Sequence, residues 1–284
     1  MFQKILVTAC CATVLYVSPS VAQAASGWSG NLNLVSEYRF RGIDQTWGNP
    51  ALQGGADWAH AAGWYAGAWA SNVSRRSYPG GGMELDIYGG YNGKVDEAWS
   101  YTAGLYGYVY PGANVRHAHC PSAAFSAPCG SLPNQRYDTL EANLGVTWQW
   151  LAYKLSVSAT DYFGANEKAG YSKGTVGTLY HDLTATVAVS DKLNLILHAG
   201  YTDIRATVAG HDPSYTDWRI ALSRTFDEGW NASLAAAGGS NDRFYRPPSG
   251  GLSATDHATR PLNRPVFMVQ LGRTFEVPSF FRLP

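Results

Sequence analysis

The feature that most constrains this chain is a series of segments about ten residues long, each alternating apolar with polar side chains. A period of two sorts side chains onto opposite faces of a strand. Ten residues is also the length of a tilted strand that crosses a bilayer. Between Asn31 and Arg41, Leu32, Leu34, Tyr38 and Phe40 oppose Asn33, Glu37, Arg39 and Arg41. Between Met83 and Tyr91, Met83, Leu85 and Ile87 oppose Glu84, Asp86 and Tyr88. Farther along, Leu140, Leu144 and Val146 oppose Thr139, Glu141 and Asn143, and Trp218, Ile220 and Leu222 oppose Asp217, Arg219 and Ser223. About twelve such strands are predicted, an even number suited to a bacterial barrel. Their spans are 30–41, 51–60, 63–74, 82–93, 97–110, 136–150, 153–163, 178–190, 192–203, 214–226, 229–240 and 265–275.

Alternation alone fits a soluble β-sandwich equally well, so the connections carry the decision. Short ones (Ala61-Ala62, 93–97, Leu151-Ala152, Asp191 and Asp227-Glu228) alternate with long ones at 42–50, 75–81, 111–135, 164–177, 204–213 and 241–264. Outer-membrane barrels have short periplasmic turns and long external loops, whereas a sandwich has no reason to keep that rhythm. Trp58, Trp64, Trp99, Trp148, Trp150 and Trp230 flank the short turns, where indoles would meet the membrane interface. Tyr38, Phe40, Tyr108, Tyr110, Tyr137, Phe163, Tyr201 and Tyr215 flank the long loops and are expected to form the other girdle. The fold class is therefore all-β: a closed antiparallel transmembrane β-barrel.

Residues 1–24 read as a secretory signal: Lys4, an apolar run from Ile5 to Val17, and small residues before a cut between Ala24 and Ala25. The remainder, 25–284, is one barrel domain with a short tail at 276–284, and the chain is expected in the cell outer membrane. With charged residues at 15% and a net charge of 0, the chain lacks the basic footprint of a nucleic-acid binder. Cys120 and Cys129 are the two cysteines beyond the signal, and an exported protein with an even count predicts a disulfide. His117 and His119 share their loop, but the spacing matches no zinc pattern, and neither a metal nor a cofactor is predicted.

Opposition to the apolar faces assigns Glu37, Arg39, Arg41, Asp57, Glu84, Asp86, Glu141, Lys154, Asp182, Asp217 and Arg219 to the lumen. A basic residue facing lipid at mid-depth costs roughly 2–4 kcal/mol, which leaves the interior for them. A twelve-strand barrel has a backbone diameter of roughly 24 Å, leaving on the order of 10 Å between inward side chains. Such charges can filter small hydrophilic solutes, or pair across the lumen and seal it; an open channel is the expectation, and a non-conducting structural or adhesive barrel is the alternative. His181 and His198 lie in strands, but no nucleophile motif accompanies them, and no catalysis is predicted.

Five stretches resemble the TorF family of proteobacterial porins: Val35-Ser-Glu-Tyr-Arg-Phe-Arg-Gly-Ile43, Pro50-Ala-Leu-Gln-Gly-Gly55, Gly63-Trp-Tyr-Ala-Gly-Ala-Trp-Ala-Ser-Asn72, Glu84-Leu-Asp-Ile-Tyr-Gly-Gly-Tyr91 and Leu271-Gly-Arg-Thr-Phe275. The resemblance implies an outer-membrane barrel with a channel role, no catalytic residues and no defined solute. The 111–135 loop is longer than the family pattern. The closing strand ending on Phe275 looks like the signal read by barrel-assembly machinery, and here a tail follows it. The expected partners are membrane lipid, small solutes and that machinery; the sequence does not give the oligomeric state.

Overall fold

The computed structural model describes residues 26–118, 132–242, 244–245 and 260–277. The strands in chain order are β1 (Gly27–Val35), β2 (Arg39–Phe40), β3 (Ile43–Asp44), β4 (Ala51–Ala59), β5 (Trp64–Asn72), β6 (Met83–Lys94) and β7 (Trp99–Val109). They continue with β8 (Thr139–Trp148), β9 (Leu151–Ser158), β10 (Leu179–Ser190), β11 (Leu193–Asp203), β12 (Tyr215–Thr225), β13 (Trp230–Gly239) and β14 (Val266–Val277). Twelve of these close into an antiparallel barrel in the order β1-β14-β13-β12-β11-β10-β9-β8-β7-β6-β5-β4, while β2 and β3 form a separate hairpin. Closure is made by β1, which pairs with β14 from Trp28↔Val277 to Val35↔Gln270 and with β4 from Gly27↔Ala59 to Val35↔Ala51.

The exterior is apolar because every second residue of each wall strand turns outward. Leu34, Ile87, Leu105, Leu144, Ile220 and Leu234 are all exposed, Leu144 and Leu234 at 62%. Exposed apolar surface on this scale marks a surface made for a non-aqueous partner, and a closed barrel satisfies every backbone group within lipid. At the short-turn end, Trp28, Trp64, Trp99, Trp148, Trp150 and Trp230 are exposed, and Trp28 pairs with Trp58 across β1 and β4. This is the interfacial girdle of a bilayer-spanning barrel, and it places the protein in an outer membrane.

The hydrophobic core sits inside the barrel near the long loops: Val35, Tyr38, Trp69, Tyr78, Tyr108 and Tyr110 pack together, with Phe40 and Phe163 against them. This corrects the expected second girdle. Of the eight aromatics assigned to it, Tyr38, Tyr108, Tyr110, Tyr137 and Tyr215 are buried, and among the rest Tyr201 is exposed at 42%.

The strand expected over 30–41 ends at Val35 instead. Ser36 closes its ladder against β14, its N–H donating to Val269 O at 2.9 Å and its hydroxyl accepting from Val269 N at 3.0 Å. The next residues leave the wall. The turn expected at Leu151-Ala152 lies at Gln149-Trp150, where Gln149 has φ of 51° and Trp148 pairs with Leu151. Strand β9 stops at Ser158, short of the expected 163. Strand β14 runs two residues past Phe275, into what was read as tail. The signal, its cleavage residues Ala24 and Ala25, the cysteines Cys120 and Cys129, and His119 lie outside the described residues.

Candidate functional site

The lumen begins with a hairpin that the alternation pattern concealed. Phe40 pairs with Ile43, leaving Arg41 and Gly42 as a two-residue turn. Both are left-handed, with φ of 48° and 77°, the conformation of the type I′ turns that close tight hairpins. Position 42 also requires glycine for space, since a Cβ there would lie 2.6 Å from Asp217 Cβ on β12. The returning strand is pinned by Asp44, whose Oδ1 accepts from Thr46 N at 3.0 Å and Gly48 N at 3.1 Å, and by Ser74 N donating to Gln45 O at 2.8 Å. Tyr78, in the loop after β5, donates to Gln45 Oε1. Burial pushes its phenol well above the ordinary value, with the Glu84 carboxylate adding to the shift, so it stays a donor.

This hairpin crosses the lumen. In the twelve-strand ring β9 lies six strands from β1 in either direction, flanked by β8 and β10. Arg41, only six positions past the end of β1, reaches that far wall. It donates to both Glu141 oxygens on β8, at 2.9 and 2.6 Å, and to Tyr162 Oη at 3.2 Å, and its guanidinium lies 4.0 Å over the Tyr180 ring on β10. Both partners of the ion pair are 3% exposed. On the near side, Glu37 gathers three arginines: Arg39 Nε at 2.6 Å, Arg260 at 3.1 Å and Arg264 at 3.1 Å. Arg260 also faces Asp44 at 3.4 Å, and Arg39 donates to Gly42 O at 3.0 Å and to Leu262 O.

Beneath the turn, His198 on β11 lies between Asp217 Oδ1 at 3.0 Å and Asp182 Oδ1 at 3.2 Å, with Thr184 Oγ1 at 3.0 Å and the Tyr180 hydroxyl at 3.1 Å. Satisfied on both nitrogens, this buried histidine ties β10, β11 and β12 together. His181 has the opposite parity and contacts Tyr153 on the outer side, at 2.8 Å.

The eleven residues assigned to the lumen fall into three groups. Glu37, Arg39 and Arg41 belong to the inward-folded segment and not to a wall strand. Glu84, Asp86, Glu141, Asp182 and Asp217 face inward from β6, β8, β10 and β12 and are buried around it. Asp57, Lys154 and Arg219 share the inward parity of β4, β9 and β12 but lie lower and are half-buried. The outer half of the lumen is thus filled, against the expectation of an open eyelet. The lower half is a polar chamber toward the short turns. A small cavity of about 20 Å³, room for about one water, is lined by Glu37, Arg39, Arg219, Ser233, Met268 and Gln270, among others.

Sequence reasoning missed Asp44, Tyr162, Tyr180, Arg260 and Arg264. Gly42 is the one sequence hint of the turn before Asp44, but Arg-Gly is not one of the dipeptides that usually mark a tight hairpin. The two arginines lie in a loop with no pattern to reveal them.

Solved structures with a similar course include KdgM porin (8% identity, TM-score 0.49, covering 88% of this chain and 99% of that one). NanC porin gives 9% identity and a TM-score of 0.46, covering 89% and 100%. The outer membrane protein opdK from Pseudomonas aeruginosa gives 10% and 0.37, covering 81% and 58%. No curated protein matches the sequence. A family model described as bacterial protein of unknown function, Gcw_chp, matches residues 21–275, and the chain belongs to that family.

Proposed function

We propose that this protein is an outer-membrane porin through which small hydrophilic solutes diffuse, with the 36–47 segment as its constriction. The observation that carries this reading is the polarity of the interior. Beside the aromatic core near the long loops and the small cluster around Ile196 and Met268, charged and amide side chains face the lumen in both halves of the twelve-strand barrel, including the half-exposed chamber with Asp57, Asn143, Lys154 and Arg219. A barrel built only to stand in the membrane could fill its centre with apolar side chains, as small barrels do. Here a charged loop supplies much of the filling, held by side-chain contacts rather than by the wall's backbone ladder. The resemblance to the TorF porins supports the same reading. Export by the 1–24 signal, a Cys120–Cys129 bridge in the external loop and assembly through the Phe275 strand belong to it.

A second reading, a non-conducting barrel that displays its long loops, is favoured by the filled outer half. Planar-bilayer recording on refolded full-length protein separates the two. Discrete conductance steps are expected, and their absence, with folding verified by heat-modifiable gel migration, would favour the second reading.

A further inference from the structure

We infer that one wall of the lumen, on β6 and β7, is a contact track for neutral ring-shaped polyhydroxy solutes, that is, pyranose sugars or short chains of them. This deepens the channel reading and rests on it.

Tyr88 and Tyr106 face each other across the two strands and stack with centroids 4.8 Å apart and planes 7° apart. Tyr106 meets Tyr108 at 4.8 Å, Tyr108 meets Phe163 at 5.3 Å, and Phe163 meets Tyr110 at 6.1 Å. Tyr110 then stacks on Tyr78 at 4.1 Å. The rings form an unbroken ladder from mid-barrel to the external end. Tyr106 to Tyr110 alone is four residues of strand, or roughly 13 Å.

Each phenol of the wall is set beside a carboxylate. Tyr88 donates to Asp57 at 2.5 Å, Tyr106 to Asp86 at 3.2 Å, Tyr110 to Glu84 at 3.0 Å and Tyr108 to Glu141 at 3.4 Å. The wall also makes room for the ladder's lower end. A Cβ at Gly67 would fall 2.5 Å from Tyr88 Cε2, so glycine lets that ring lean over β5.

A pyranose ring offers an apolar C–H face to an aromatic face and a rim of hydroxyls to acceptors beside it. Aromatic surface with a few placed polar groups is the usual make-up of a small-molecule site. The acceptors beside this track take hydroxyl hydrogens, and Arg41, the cation that meets the track at Glu141, is already held in that ion pair, so among the described residues the track offers an anionic solute no partner and the solute is neutral. The ladder already holds one such occupant: Phe40, from the hairpin, packs edge-on against Tyr108 at 5.4 Å and Phe163 at 5.6 Å. At the lower end Tyr65, Tyr88 and Tyr106 remain half-exposed to the chamber, so part of the track is reachable without moving the hairpin.

The test is isothermal titration of detergent-solubilised full-length protein with maltohexaose, a uronic-acid hexamer and sorbitol, together with sugar block of current in planar bilayers. Maltohexaose should bind, with the uronate and sorbitol at least fivefold weaker. Tyr106→Leu should weaken maltohexaose at least fivefold. Tyr106→Phe, which keeps the stack, should weaken it less and covers the case that the leucine variant fails to fold. Tyr101→Leu, on the lipid face of the same strand, should leave binding unchanged. No binding, equal binding of the three probes, or binding indifferent to Tyr106→Leu would overturn the track. Current steps without binding or sugar block would overturn the track alone. Binding without any current would overturn the channel, and with it the track as a transport path, leaving only a sugar-binding wall.

Discussion

Replacing Arg41 with alanine is the sharpest perturbation of the constriction. The guanidinium makes both hydrogen bonds of the Glu141 pair, a third to Tyr162 and a 4.0 Å contact with the Tyr180 ring. Removing one partner of a buried ion pair costs about 3–5 kcal/mol, because the other charge is left uncompensated. In the proposed channel, passage requires the hairpin to leave the lumen, and that cost falls on the hairpin-in state only. Glu141 is sealed from water while the hairpin covers it, and rehydrates when the hairpin leaves. The Arg41→Ala substitution therefore penalises the hairpin-in state and spares the barrel, whose strand ladders are untouched. At 1.4 kcal/mol per decade, the ratio of hairpin-out to hairpin-in should rise by roughly two to three and a half decades. Single-channel recording should show long open dwells where the unaltered protein is mostly closed, with thermal unfolding of the barrel little changed. Adding Glu141→Gln removes the stranded charge and should restore part of the closed time. If Arg41→Ala gates like the parent, or the double variant is as open as the single, the pair does not hold the hairpin.

Three further outcomes follow from the same geometry. Gly42→Val combines a strained φ of 77° with a Cβ 2.6 Å from Asp217 Cβ, so it too should increase open time, read in the same recordings; unchanged gating would mean the turn is not seated as described. Arg39→Ala and Arg41→Ala should each shift the reversal potential in a salt gradient toward cation preference, since each removes a positive charge from the constriction; an unmoved potential would remove both from the ion path. Leu144→Arg places a charge on the lipid face, where Leu144 is 62% exposed, at a cost of about 2–4 kcal/mol. Asn143→Arg, one residue away and facing the chamber, should cost far less, and equal losses in a urea titration in lipid vesicles would put the two faces in doubt.

The barrel was legible because its cause is periodic. Leu144 outward and Asn143 inward follow from a two-residue repeat, and the rhythm of long and short connections distinguished a barrel from a sandwich. The constriction was not legible for the same reason. Glu37, Arg39 and Arg41 continue the β1 alternation without a break, so parity placed them on the wall. Two left-handed residues then reverse the chain, and contacts with Arg260, Arg264 and Glu141, as far as 227 residues away in sequence, hold it inside. Parity also misjudged the upper aromatics. Tyr38 and Phe40 have the outward phase of Leu34, but past Ser36 there is no wall strand for that phase to describe. Tyr108 and Tyr110 have the inward phase and were assigned to a girdle by their nearness to a loop alone.

The central claim is that a loop, and not the wall, closes a polar pore. Its most direct test compares single-channel conductance of the full chain with a variant in which residues 38–46 are replaced by a short Gly-Ser turn. The account predicts that both fold and that the variant passes current in larger, longer-lived steps. A correctly folded variant with conductance no greater than the parent, or with none, would contradict it.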